Sequence, residues 1–301
     1  MAMLDFIYNN YFLIWISILG LCLGSFYNVV IIRSLSGESI VFPPSKCPKC
    51  GNKLKPWHNI PIFSYLFLGG KCTFCKSNIS VQYPLIEFIT MVLFAFSYIK
   101  FGLEWKTLFI IILLSGMLIM TATDLKEKLV DCNIAIVLAF IGILYNWLVN
   151  HDVLNSIFGL IVAVVVMEIL AATGYIFKKG RAFGEADTFV AASLGASFGL
   201  SLLPQIFLYT LIASALFIIP IFIHNQYKNN QKSICISFIL FILSALIYKT
   251  VFANVILLIV LAMLGLLLSI QIMRNLGNTE NPLYLPLVPA FSLGALFFIF
   301  F

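Results

Sequence analysis

The chain has 301 residues, 62% of them hydrophobic and only 10% charged, with a net charge of +6. A soluble domain is nearer half apolar and a quarter charged, and here the apolar residues come in long uninterrupted runs, so a polytopic helical membrane protein is expected. The cations lie in loops between alternate apolar runs, not in a stripe interleaved with exposed aromatics, which points away from nucleic acid and toward orientation signals beside a lipid bilayer.

The first apolar run spans 11–33. It is too long for the core of a cleavable signal peptide, no basic segment precedes it and no small-residue cleavage site follows, so it reads as a first membrane helix. Residues 34–83 come next, the one connection long enough to fold by itself. Further apolar runs fall at 84–100, 107–123, 132–150, 155–177, 187–200, 204–223, 234–248, 251–273 and 285–301. The fold class is therefore an all-α polytopic membrane protein with about ten transmembrane helices, eight to ten as a range. The stretch 187–223 is divided in two because Gly199, Ser201 and Pro204 cluster at its middle and 37 residues are too many for one span. Alternating ten spans from outside places 15 Lys and Arg on one side and three (Lys100, Lys106, Lys249) on the other. The cation-rich side, which includes 34–83, is then cytoplasmic.

Within 34–83, "CPKC" and "CTFC" place Cys47, Cys50, Cys72 and Cys75 in two Cys-x2-Cys pairs separated by 21 residues. Two such knuckles supply four thiolates for a tetrahedral zinc. The alternatives are two disulfides or four free thiols, and a reducing cytoplasm disfavours the disulfides. Four thiolates close the coordination sphere and leave no position for water, so the metal is expected to be structural. Cys22, Cys132 and Cys235 lie in or beside apolar runs and read as ordinary buried thiols.

Most acids fall in loops or near termini, but Asp124 ends the third run and Asp187 opens the sixth. The two intervening spans form a return trip, so both acids reach the cytoplasmic edge at one depth. A facing carboxylate pair can share a proton, one member activating water while the other polarises a carbonyl. Against that, acids at a helix N-terminus are ordinary caps, and acids at a membrane boundary also serve ion transport. Asp124, at a helix C-terminus, gains nothing from the helix dipole.

These residues resemble the bacterial prepilin peptidases, the leader peptidase/N-methyltransferases of type IV pili and type II secretion. The likeness is carried by "GSFYNVVIIR" (24–33), "GESIVFPPSKCPKCGNKL" (37–54), "NIPIFSYLFLGGKCTFCKSNISVQYPLIE" (59–87), "DLKEKLVD" (124–131), "GEAD" (184–187) and "PLVPAFSLGA" (286–295). The resemblance implies an aspartyl endopeptidase with Asp124 and Asp187 as the dyad, Asp131 as a less critical acid and the four cysteines as zinc ligands. It also implies cleavage of prepilin or pseudopilin leaders at the cytoplasmic face of the inner membrane, after a glycine, then N-methylation of the new terminus with S-adenosylmethionine. The methyl-transfer residues do not carry over, and the cytoplasmic insert is where family precedent would place them. On this reading the chain divides into a first transmembrane helix (1–33), the zinc loop (34–83), a catalytic membrane core (84–223) and C-terminal transmembrane helices (224–301).

Three departures stand out: Ala186 replaces the second glycine of Gly-x-Gly-Asp, Val130 replaces a proline, and the apolar pair 234–273 looks inserted. Glu87, in the family's "YPLIE" segment, is a candidate for binding the substrate's terminal ammonium, with a dipole-favoured first-turn acid as the alternative. Glu168, mid-span, is expected to face the bundle or be neutral, with a serine or threonine across the core as its partner. Glu185 is expected to face solvent. The other functional readings are a related Gly-x-Gly-Asp membrane protease with a different substrate, a cation-coupled transporter and an inactive zinc-anchored scaffold.

Overall fold

The computed structural model describes residues 2–178, 181, 184–214 and 287–301. Their regular elements are helices, and the described residues form no strand beyond two isolated β-bridges in the insert. The helices are α1 (Ala2–Ser36), α2 (Phe63–Phe67), α3 (Gln82–Phe101), α4 (Trp105–Glu127), α5 (Cys132–Tyr145), α6 (Val153–Lys178), α7 (Glu185–Phe198), α8 (Leu203–Ser214) and α9 (Val288–Phe300). Five of them contain segments long and apolar enough to cross a membrane: Asn10–Ser36, Gln82–Phe101, Trp105–Glu127, Cys132–Asn150 and Val153–Ala172. Helices α8 and α9 are apolar but shorter. The expected spans at 234–248 and 251–273 lie outside the described residues, so the structure supports a multi-helix membrane fold without reaching a count of ten.

Helix α4 forms the centre. In its most apolar window 61% of residues are buried, against 22–33% in the other four long spans. Phe109, Leu113, Met117 and Met120 pack there against Leu138 of α5, Met167 of α6, Val190 and Leu194 of α7, and Phe291 of α9. The outer helices turn Phe88, Phe96, Phe140, Phe158 and Ile169 outward, as helices bordering lipid do.

Two seams bring backbones together through glycine. In "GLCLG", a Cβ on Gly20 would lie 2.8 Å from the Met91 Cα and one on Gly24 2.7 Å from the Glu87 Cα, so α1 and α3 touch main chain to main chain. Between α6 and α7, Gly159 faces Gly195 in the same manner. Such small-residue approaches replace the hydrophobic drive that lipid does not supply between helices.

The expected break within 187–223 is present. Helix α7 stops at Phe198, Gly199 takes φ +78°, and α8 starts at Leu203. Helix α4 runs four residues past the apolar run, to Glu127, so Asp124 sits inside its last turn. Lys128 ends that helix in the left-handed conformation, its amide donating to the Asp124 carbonyl at 3.0 Å. Asp131 then starts α5 as N-cap, its Oδ1 accepting from the Asn133 amide at 2.9 Å. That is a structural role for the second acid of "DLKEKLVD".

Candidate active site and metal centre

The two Cys-x2-Cys segments fold into matching turns. In the first, the Cys47 amide donates to the Asn52 carbonyl at 2.9 Å and the Gly51 amide returns to the Cys47 carbonyl at 2.9 Å. In the second, the Cys72 amide donates to the Ser77 carbonyl at 2.8 Å and the Lys76 amide to the Cys72 carbonyl at 3.0 Å. Bridges Lys46–Lys53 and Lys71–Asn78 close each base. Both turns need a left-handed residue after the second cysteine: Gly51 takes φ +71°, and Lys76 adopts φ +57° at the equivalent place.

These turns gather Cys47, Cys50, Cys72 and Cys75 so that all four sulfurs lie within 4.8 Å of one another. The Cys47 and Cys75 sulfurs are 3.9 Å apart, not bonded, and all four cysteines are free. Zn–S bonds of ~2.3 Å at tetrahedral angles put sulfurs about 3.8 Å apart, close to what is seen. The thiols also compete for charge. The Ser77 hydroxyl and amide pull Cys75 down to about 6, whereas Cys50, despite the Asn52 amide, is pushed up to about 11 by desolvation and the Cys47 and Cys75 sulfurs. A divalent cation removes that conflict by letting all four ionise, so the residues fit a zinc ion.

At the membrane edge, α4 delivers Asp124 and α7 delivers Asp187. Asp124 is 1% exposed, and Asp187, half-buried in the first turn of α7, is near enough to interact with its charge. Asp187 Oδ2 accepts the Gly184 amide at 3.1 Å. Ala186 lies inside the helix and is not a positive-φ position, so the replacement of glycine costs no left-handed backbone there. Glu185 is exposed, as expected.

Sequence reasoning misses how the "GEAD" loop is held. Arg181, read from the chain as an orientation signal, donates through Nη2 to Glu168 Oε1 at 2.8 Å. The Thr188 hydroxyl donates to the same oxygen at 3.1 Å. Glu168 therefore ties α6 to the residues on both sides of Asp187; it has a threonine partner of the expected kind, but it is exposed and ion-paired with Arg181 instead of facing the bundle. The pairing could not be read from spacing, because Arg181 lies beyond the end of α6. Glu87 is 6% exposed and its Oε2 accepts the Ile62 amide at 2.7 Å, at a β-branched residue held at φ +60°. Its carboxylate thus pins the insert to α3. A separate cavity of about 380 Å³, lined in part by Lys100, Lys106, Tyr145 and Asn150, lies toward the other end of α4, away from Asp124.

The described helices thus carry two neighbouring carboxylates, Asp124 and Asp187, and an insert whose four thiols could hold a metal ion. Two family models match: the bacterial peptidase A24 N-terminal domain over residues 18–101 and the type IV leader peptidase family over 111–219. The first spans the insert and the second both aspartates. Among curated relatives, the prepilin leader peptidase/N-methyltransferase of Pseudomonas aeruginosa is 31% identical over 257 residues, covering 75% of this chain and 87% of that protein. The protein of the same name from Neisseria gonorrhoeae is 33% identical over 222 residues, 65% of this chain and 78% of that one. That from Myxococcus xanthus is 32% identical over 186 residues, 62% and 56%. No solved structure matches. The chain belongs to the bacterial type IV leader peptidase family.

Proposed function

We propose that this chain is a prepilin leader peptidase and N-methyltransferase of the bacterial inner membrane, with its insert and active site on the cytoplasmic side. The observation that carries the peptidase reading is the pairing of Asp124 and Asp187 from two helix ends that meet at one membrane edge. One carboxylate takes a proton from water as that water attacks the scissile carbonyl, while the other, protonated, donates to the carbonyl oxygen. Collapse of the tetrahedral species returns a proton to the leaving amine. Two carboxylates sharing one proton suffice for this, with no metal in the step.

Zinc, held by Cys47, Cys50, Cys72 and Cys75, would staple the insert. S-adenosylmethionine would supply the methyl group to the new N-terminus. For Glu87 the geometry favours anchoring the insert over meeting the substrate ammonium, because the carboxylate is buried on the Ile62 amide. The family match and the siting of both acids at helix ends disfavour the transporter reading, whose acids belong near mid-bilayer.

The test is reconstitution with a prepilin, comparing wild type with Asp124→Asn and Asp187→Asn. Each variant is expected to lose leader removal by ~10³-fold or more, as when one member of a catalytic unit is removed. Cleavage that survives both substitutions sinks the aspartyl reading. A parallel methyl-transfer assay on pre-cleaved pilin is expected to be unaffected, if the two chemistries use separate residues.

A further inference from the structure

The insert exposes more apolar surface than a soluble loop carries. Helix α2 directs Phe63, Leu66 and Phe67 outward at i, i+3 and i+4, with Leu66 67% and Phe67 87% exposed. Trp57 and Ile60 continue that surface, and Trp57, Ile60, Phe63 and Phe67 border a cleft of about 280 Å³. The insert as a whole carries six exposed lysines (46, 49, 53, 55, 71 and 76) against a single acid, Glu38. Lys55 lays its ammonium 5.2 Å from the Trp57 ring. Exposed apolar rings in a lysine-rich insert match a headgroup boundary, where rings sink and ammonium groups meet phosphates.

Depth is fixed independently. The amide that opens α2, at Ile62, is bonded to Glu87, the sixth residue of the membrane-crossing helix α3. At 1.5 Å per residue this is about 8 Å along the span from its start. Arg33, at the end of α1, donates to the carbonyls of Ser39, Ile40 and Pro43 and draws the other end of the insert in as well. The insert cannot stand off from the bilayer. A basic peptide leader is a poor match for so basic an insert, whereas anionic lipid is a good one.

We infer that the four-cysteine insert is a lipid-docking module: α2 and Trp57 enter the headgroup boundary of the leaflet on their own side, and the insert's lysines bind its anionic lipids. The apolar face stabilises the docked state by burial, and the lysines make it depend on lipid charge and salt.

The full-length protein is placed in nanodiscs of phosphatidylcholine alone or with phosphatidylglycerol, and amide hydrogen exchange of residues 57–68 is followed. Exchange slowed at least ~10-fold by phosphatidylglycerol, with the effect lost in high salt, is the expected result. Trp57, left as the sole tryptophan by Trp15→Phe, Trp105→Phe and Trp147→Phe, is expected to be quenched by lipids brominated near the headgroup. Leu66→Gln with Phe67→Gln, both at exposed positions, is expected to restore fast exchange while zinc content stays unchanged. Equal exchange in both lipids together with unquenched Trp57 overturns the proposal. So does protection that appears only when a prepilin or a second copy of the chain is added.

Discussion

At the level of single residues, the ion pair between Arg181 and Glu168 is where the peptidase reading can be tuned without touching either aspartate. Both side chains are partly exposed, 29% and 46%, so the pair adds at most ~1 kcal/mol to stability. Its effect is on position, because it fixes the approach to α7 while Thr188 fixes the residue after Asp187. Arg181→Ala is expected to lower kcat for leader cleavage by ~10- to 100-fold, the scale of a small misplacement of a reacting group. Thermal stability and zinc content should stay near wild type, and Arg181→Lys should recover part of the rate. A kcat unchanged in Arg181→Ala would show that the loop is held by other contacts. This pair is hidden from sequence for a physical reason. A helical acid seeks partners three or four residues away, and Arg181 is 13 residues on, beyond the end of α6. Asp124 and Asp187 are legible because apolar runs on either side fix their depth. The departure at Ala186 raises a question about backbone that the helical start of α7 answers.

Among the elements, the α1–α3 seam carries the clearest steric demand. Gly24→Leu would drive a side chain into the Glu87 backbone, where even a Cβ has only 2.7 Å. Overpacking of this kind costs about 1–3 kcal/mol. Because Glu87 also holds Ile62, the strain should reach the insert. The variant is expected to lose thermal stability in detergent and to release zinc to a chelator faster than wild type, whereas Leu23→Ala, away from the glycine pair, should do less. "GLCLG" shows this in the sequence as small residues four apart, but the partner helix is not written beside it. The break between α7 and α8 is more legible, since Gly199 and Pro204 mark it directly. The ends of α1 and α4 are less so, because both helices run on past their apolar residues for reasons of capping and packing.

For the molecule as a whole, the insert and the membrane helices are two folding problems solved by different forces. The helices are held by close packing, whereas the insert gathers four thiols that a cation would bind as thiolates. Chelation, or Cys47→Ser, is therefore expected to raise exchange across residues 45–80 while α4 to α7 stay protected. Zinc content should fall to near zero in Cys47→Ser, and retained metal would refute the tetrathiolate site. The division is legible because Cys-x2-Cys spacing and long apolar runs are local signals. What joins the halves is not local: Glu87 on Ile62 and Arg33 on three carbonyls connect positions that no periodicity relates.

The two cysteine turns have one more consequence. The first follows α1 and the second precedes α3, so a shared ion would clasp the chain on both sides of the segment 56–69, while the glycine seam joins the two helices themselves. Peptide continuity between the turns is then dispensable. A protease site engineered at Asn59 and cut in the assembled protein is expected to leave two fragments that co-purify through size exclusion and separate only when metal is stripped and the helices are denatured. Fragments that part on cleavage alone would show that the covalent thread, rather than the clasp, holds this protein in one piece.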